Sequence, residues 1–247
     1  MNGQMCHARS QALGMTHMTG VVWSVGVGIA GVLDRMSRFL NGPLEGGAGR
    51  RELPVPSPSG APIAVLVIDA SPSMDFTDWK PSRLQAAKDA ANAYVARLKE
   101  GAPNARVAVV AFCEQARTVC GLTPVGRHAH LAAKIDAIDT HSATNITAGL
   151  TEALKHAKRA AGRCQVVLLT DGEHNTGPKP HSVATKLRKI ATLETVGIGG
   201  SPEDVDEELL KAIASAHPDG RKRYRWIGDQ KELVGHFETL AGRLARS

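Results

Sequence analysis

The stretch Ile63-Ala-Val-Leu-Val-Ile-Asp69-Ala-Ser71-Pro-Ser73 decides how the rest of this chain is understood. An unbroken apolar run, Ile63 to Ile68, stops abruptly at an aspartate and two spaced hydroxyls. A run of this kind is a strand buried on both faces, as in a mostly parallel sheet. Polar groups at its C-terminal tip stand where open α/β sheets bind their ligands. A carboxylate with two hydroxyls, and no cysteine or histidine beside them, is hard-oxygen chemistry suited to Mg²⁺.

Outward from this strand, the pattern alternates strand and helix. Ser82 with Gln85 has the spacing of a capping box. Leu84, Ala87, Ala91, Tyr94 and Leu98 follow at helical spacing, and Gly101 ends the helix. Val107–Phe112 is a second apolar strand, and Thr118–Leu122 lies close enough behind it to be an antiparallel edge partner. A helix over Leu131–Ile138 precedes the polar loop His141-Ser-Ala-Thr144-Asn145. The next helix is marked by Ile146, Leu150, Leu154 and Ala157 and ends by Gly162. A buried strand, Val166–Leu169, stops at Thr170-Asp171-Gly172.

A helix near His181–Lys189 and a strand Leu193–Ile198 come next. Ser201, with Pro202 at the first position and Asp204 three residues on, predicts a helix whose core face is Val205, Leu209, Leu210 and Ile213. The strand Arg223–Ile227 leads into an Asp229-capped helix carrying Leu233, Phe237, Leu240 and Leu244. These repeated βα units predict an α/β fold, a doubly wound three-layer α/β/α sandwich. Its central sheet is mostly parallel, in the order 3-2-1-4-5-6, with one short antiparallel edge strand.

Composition sets the outer limits. The 247 residues hold one full α/β domain plus a short extension. Aromatics make up only 4%, so the core must be aliphatic. A net charge of +6 favours acidic partners but is too diffuse to point to nucleic acid. The one dense basic run, Arg221-Lys-Arg-Tyr-Arg225, has no interleaved stacking aromatics and is expected to be a solvated loop entering an edge strand. The four cysteines, Cys6, Cys113, Cys120 and Cys164, form no CxxC pair and fit a reducing compartment better than a disulfide scaffold.

Residues 1–40 form an N-terminal extension with an apolar, glycine-rich segment at 21–33, and residues 41–61 are a linker rich in Pro, Gly and Ser. The domain is expected at 62–247. Gly26-Val-Gly28-Ile-Ala-Gly31 is a formal GxGxxG, but the chain then runs into the linker instead of a second strand. The apolar segment is short for a bilayer span and no clear signal-peptide cleavage site follows it. If it inserted, Arg35, Arg38, Arg50 and Arg51 would keep the domain in the cytoplasm. Cytoplasmic placement is expected, with membrane association through 21–33 the less favoured alternative.

Two strands thus end in aspartate, Asp69 and Asp171. In a doubly wound sheet their strands are neighbours at the switch point, and Thr144 lies in a loop on the same edge. Asp69, Ser71, Ser73, Thr144 and Asp171 therefore converge by topology.

In these residues the chain resembles the von Willebrand factor type A domain family and its metal-ion-dependent adhesion site. The family motif is a D-x-S-x-S after the first strand, a threonine in a later loop and an aspartate in a T-D-G. Here these are Asp69-Ala-Ser71-Pro-Ser73, Thr144 and Thr170-Asp171-Gly172. The resemblance implies Mg²⁺ or Mn²⁺ held directly by Ser71 and Ser73. Thr144 binds directly or through water, and Asp69 and Asp171 act mostly through water. One position stays open for an Asp or Glu of a partner protein. Single-domain members of the family often act beside AAA+ ATPases.

Two departures stand out. Pro72 occupies a position often held by glycine, which predicts a stiffer loop that has lost a backbone donor. Ser142 and Ala143 stand where glycines often precede the threonine.

The enzymatic alternative is a phosphohydrolase of the haloacid-dehalogenase type using Asp69 as nucleophile. Such enzymes resemble D-x-D at this strand, and Ser71 replaces the second aspartate here. No P-loop or G-x-S-x-G elbow is present in the sequence. Asp75 and Asp78 could form a second cation site but fit a solvated loop better. His128, His130 and His141 have no partners at zinc spacing.

Overall fold

The computed structural model describes residues 60–160 and 162–246. The extension at 1–40, its apolar segment and nearly all of the 41–61 linker lie outside these residues. Six strands form one sheet: β1 (Ile63–Asp69), β2 (Arg106–Phe112), β3 (Ala116–Pro124), β4 (Cys164–Thr170), β5 (Thr192–Ile198) and β6 (Tyr224–Ile227). Their order is β3-β2-β1-β4-β5-β6, and every pairing is parallel except that of β2 with β3. This is the strand order and the antiparallel edge expected from the sequence.

The apolar run of β1 explains why the fold has three layers. All seven of its residues are buried, and alternate side chains leave opposite faces of the strand. Ala64, Leu66 and Ile68 join one core, with α1 (Arg83–Gly101), α2 (His128–Asp136) and α6 (Gln230–Arg246). Ile63, Val65 and Val67 join the other, with α3 (Ile146–Ala157), α4 (His181–Arg188) and α5 (Glu207–Ile213). Tyr94 of α1 meets Phe237 of α6 edge-on, with ring centroids 6.3 Å apart. The Tyr94 hydroxyl, fully buried, donates to Gln165 Oε1 at 2.6 Å, so its burial leaves no orphan polar group.

The helix α1 starts as expected, with Ser82 Oγ accepting from the Gln85 amide at 3.2 Å. The Gln85 side chain does not close the box; it donates to Asp89 instead.

The helix expected from Ser201 differs more. Pro202–Asp204 is a single 3₁₀ turn, and Val205 is extended (φ −123°, ψ 151°). The helix α5 begins later, capped by Asp206, whose carboxylate accepts from the Leu209 amide. Val205 thus packs from the connecting loop instead of the helix. Two capping residues compete here, Ser201 and Asp206, and the second starts the α-helix.

Gly149 lets α3 lie close against the sheet. A Cβ at this position would stand 2.9 Å from the Phe112 ring and 3.1 Å from Val67. Because α3 carries Thr144 and Asn145 at its N-terminal end, this approach also sets the position of that loop. Gly149→Ala should therefore destabilise the fold. The gain in helix propensity is about 1 kcal/mol, whereas overpacking against a ring and a strand costs about 1–3 kcal/mol. A denaturant titration that found the alanine variant more stable than the parent would contradict this close packing.

Candidate metal centre

The strand register places the site. Ile68 pairs with Leu169, so Asp69 and Thr170 are the next residues along two adjacent parallel strands. The Asp69 carboxylate is fully buried. Its Oδ1 accepts from the Ser71 amide at 2.8 Å and its Oδ2 from Thr170 Oγ1 at 2.5 Å. Ser71 Oγ lies 3.1 Å from Ser73 Oγ, and Ser73 Oγ donates to Asp171 Oδ1 at 2.8 Å. The other oxygen of Asp171 accepts from Arg83 Nη1 at 3.1 Å.

Thr144 belongs to the same cluster. A Cβ added to Gly172 would lie 3.8 Å from both Ser73 Oγ and Thr144 Oγ1, so the two hydroxyls flank a common point. All five residues singled out in the sequence are thus brought to one edge of the sheet, at the β1/β4 switch point.

Both departures fall in the loops that connect the site to its strands and helices. Pro72 is the first residue of a 3₁₀ turn, Pro72–Asp75, after an extended Ser71. At that position an N–H has no partner within the turn, so proline removes no intrahelical bond and its fixed φ suits the start. Ala143 has φ +47°, in the left-handed region. A non-glycine residue there costs about 1–2 kcal/mol. The loop is pinned on both sides of it. The Glu114 amide donates to Ser142 O at 2.9 Å, the Thr144 amide to Asn175 Oδ1 at 2.9 Å and the Asn145 amide to Cys113 O at 2.8 Å. His174 Nδ1 accepts from the Ile146 amide at 3.2 Å. The conformation often given to glycine is reached here without one.

Several supporting residues escape sequence reasoning. Thr170 holds Asp69, Asn175 and His174 hold the threonine loop, and Arg83 holds Asp171. Arg83 did carry a signal: it is a cation in the first turn of a helix, the end where the helix dipole disfavours positive charge. Asp75 and Asp78 engage separate partners. Asp78 is paired with Arg83 at 2.7 Å, and Asp75 Oδ2 accepts from Thr140 Oγ1 at 2.5 Å.

The donor set fits a small hard cation. In octahedral coordination with bonds of about 2.0–2.1 Å, neighbouring oxygens stand ~2.9 Å apart, close to the 3.1 Å between the two serine hydroxyls. Burial and the nearby charge of Asp171 push the Asp69 carboxyl up to about 7, against the opposing hydrogen bonds from Thr170 and Ser71. Burial also raises Asp171, against the opposing pull of Ser73 and Arg83. Two carboxylates in this environment favour a compensating positive charge.

The sequence profile of the von Willebrand factor type A domain matches residues 64–174. YfbK of Escherichia coli (strain K12) is 28% identical over 176 residues, which cover 68% of this chain and 28% of that protein. Among solved structures, a von Willebrand factor type A protein from Catenulispora acidiphila superposes with a TM-score of 0.64 at 22% identity. The match covers 75% of this chain and 43% of that one. Proximal thread matrix protein 1 from the mussel byssus, solved with a zinc-occupied MIDAS motif, gives 0.62 at 24% identity, covering 76% of this chain and 47% of that one. The chain thus spans less than half the length of each of these proteins.

A pH dependence follows from the buried carboxyls. Between the ordinary aspartate value of 3.8 and about 7, folded Asp69 keeps a proton that the unfolded chain has released. Raising the pH through this window therefore favours unfolding. The upward shift of Asp171 adds to it, whereas carboxylates held low, such as Asp78 and Glu152, titrate below it. His236, held down to about 4, and His156 titrate in the opposite sense below about pH 6.5, so the test compares two proteins: in EDTA, the urea midpoint of the parent should fall relative to that of Asp69→Asn between about pH 5 and about pH 7.5. A difference between the two midpoints that stays constant over this range would contradict the burial of Asp69.

Proposed function

Because the chain carries a von Willebrand factor type A domain, we propose that its five switch-point residues hold a divalent cation with which the domain captures an acidic side chain of a partner protein. Ser71 and Ser73 would bind Mg²⁺ or Mn²⁺ directly, Thr144 directly or through water, and Asp69 and Asp171 mostly through water. The bound ion would supply a Lewis-acidic site with one position open to a carboxylate.

One observation carries this reading. Two buried aspartates converge on two hydroxyls spaced like an octahedral edge. The zinc-occupied MIDAS motif of the mussel protein lends support by analogy of fold.

Direct metal bonds from neutral hydroxyls leave the ion electrophilic toward an incoming anion. The surrounding edge carries Asp75, Glu114 and Glu173, all exposed. An acidic ligand would be repelled there unless a cation reversed the local field. Phe76, 57% exposed beside the Ser71–Ser73 loop, offers an apolar contact for the partner.

The phosphohydrolase alternative is less well supported. Both oxygens of Asp69 are engaged and the residue is fully buried, which disfavours attack on a phosphoryl group. The chain has no nucleotide-binding P-loop motif. An AAA+ ATPase is one candidate partner for the domain.

Cys113, Cys120 and Cys164 are free thiols, which favours a reducing, cytoplasmic setting. Among the described residues, no helix is long and apolar enough to cross a membrane.

Mg²⁺ or Mn²⁺ at about 100 times its Kd should raise the thermal midpoint by roughly 5–10 °C, and EDTA should reverse the shift. Asp69→Ala and Asp171→Ala should abolish the response. Variants that respond to metal like the parent would show that the cation binds elsewhere.

A further inference from the structure

Arg83 stands where a cation is least expected. It is the first residue of α1, it is buried, and the helix dipole opposes its charge there. Carboxylates from three separate loops compensate it. Nε lies 3.0 and 3.1 Å from the two Asp78 oxygens and Nη2 lies 2.7 Å from Asp78 Oδ2. Nη2 also reaches Asp204 Oδ2 at 3.3 Å, and Nη1 reaches Asp171 Oδ2 at 3.1 Å. The Phe76 ring covers the guanidinium at 5.2 Å.

The anchors are themselves held. Asp78 Oδ1 accepts from the Trp79 amide at 3.0 Å. Asp204 Oδ2 accepts from the amides of Gly200 and Ser201 at 2.8 and 3.2 Å. Asp171 is consequently caught from both sides, Oδ1 by Ser73 and Oδ2 by Arg83. Its carboxylate plane is fixed, and its outer oxygen is turned toward the guanidinium.

Resting on the metal reading above, we propose that Arg83 is a positioning residue of the site that sets its selectivity for Mg²⁺ over Ca²⁺. Mg²⁺ requires near-ideal octahedral geometry, whereas Ca²⁺ accepts six to eight oxygens at longer distances and takes carboxylates bidentately. With its outer oxygen bound to Arg83, Asp171 cannot swing to offer both oxygens to one ion. The fork of a guanidinium is needed for this, because one planar group bonds three carboxylates at once. A lysine at 83 keeps the charge but cannot span all three.

The test uses the full chain and titrates Mg²⁺ and Ca²⁺ separately by calorimetry, for the parent and for Arg83→Lys. Loss of a group that orients a ligand typically weakens metal binding about 10–100-fold. Arg83→Lys should therefore weaken Mg²⁺ at least about tenfold while leaving Ca²⁺ unchanged or tighter. A Kd ratio equal to the parent's, even if both affinities fall together, would make Arg83 merely structural and overturn the proposal. If the lysine variant does not fold, Asp78→Asn removes the main anchor of the guanidinium. The ratio should then move in the same direction, and an unchanged ratio would overturn the proposal equally. A parent protein that binds neither cation would instead overturn the metal reading itself.

Discussion

The structure depends on the burial of two carboxylates side by side at the reversal point of the sheet. Neither Asp69 nor Asp171 has contact with bulk water, and both belong to adjacent parallel strands or the residues just beyond them. An isolated charge in such a place is expensive, and two of the same sign are more so. The surroundings answer with donors: the Ser71 amide and Thr170 for Asp69, Ser73 and Arg83 for Asp171. Arg83 is held in turn by Asp78 and Asp204, and the neighbouring threonine loop by Asn175 and His174. Asp69, Ser71, Ser73, Asp171 and Arg83 are therefore joined in one polar network that extends to Asp78 and Asp204.

That network requires a rigid base, and the two cores provide it. Strand β1 is buried along its whole length, so its tip is fixed relative to β2 and β4. The close seat of α3 on Phe112 and Val67 fixes the threonine loop at the start of that helix. Arg83 joins the first turn of α1 to the loops after β4 and β5. The result is a site whose ligand-bearing groups come from three places in the chain yet share one neighbourhood.

The strand order and the meeting of the two strand-end aspartates were legible in the sequence for a physical reason. An aspartate ending an apolar strand is an exception to the hydrophobic pattern, and two such exceptions identify adjacent strand tips once the sheet is doubly wound. The supporting residues were not legible in the same way. Arg83 sits in an amphipathic helix, where a basic side chain ordinarily means a solvated face. Asp204 reads as part of a helix N-terminus, although its carboxylate holds the loop amides of Gly200 and Ser201 and meets Arg83. Pro72 and Ala143 read as departures from glycine. Their effect depends on backbone context that sequence alone does not provide: the first position of a 3₁₀ turn for one, and a loop pinned on both sides for the other.

The claim on which everything else rests is that these two aspartates are gathered around a cation. Crystals grown with Mn²⁺ and measured at a wavelength where manganese scatters anomalously would test it most directly. The account predicts a single strong anomalous peak enclosed by Ser71, Ser73 and Thr144, with Asp69 and Asp171 in the surrounding shell. A protein with no peak there, or with manganese bound only among the acidic side chains of the outer loops, would contradict it.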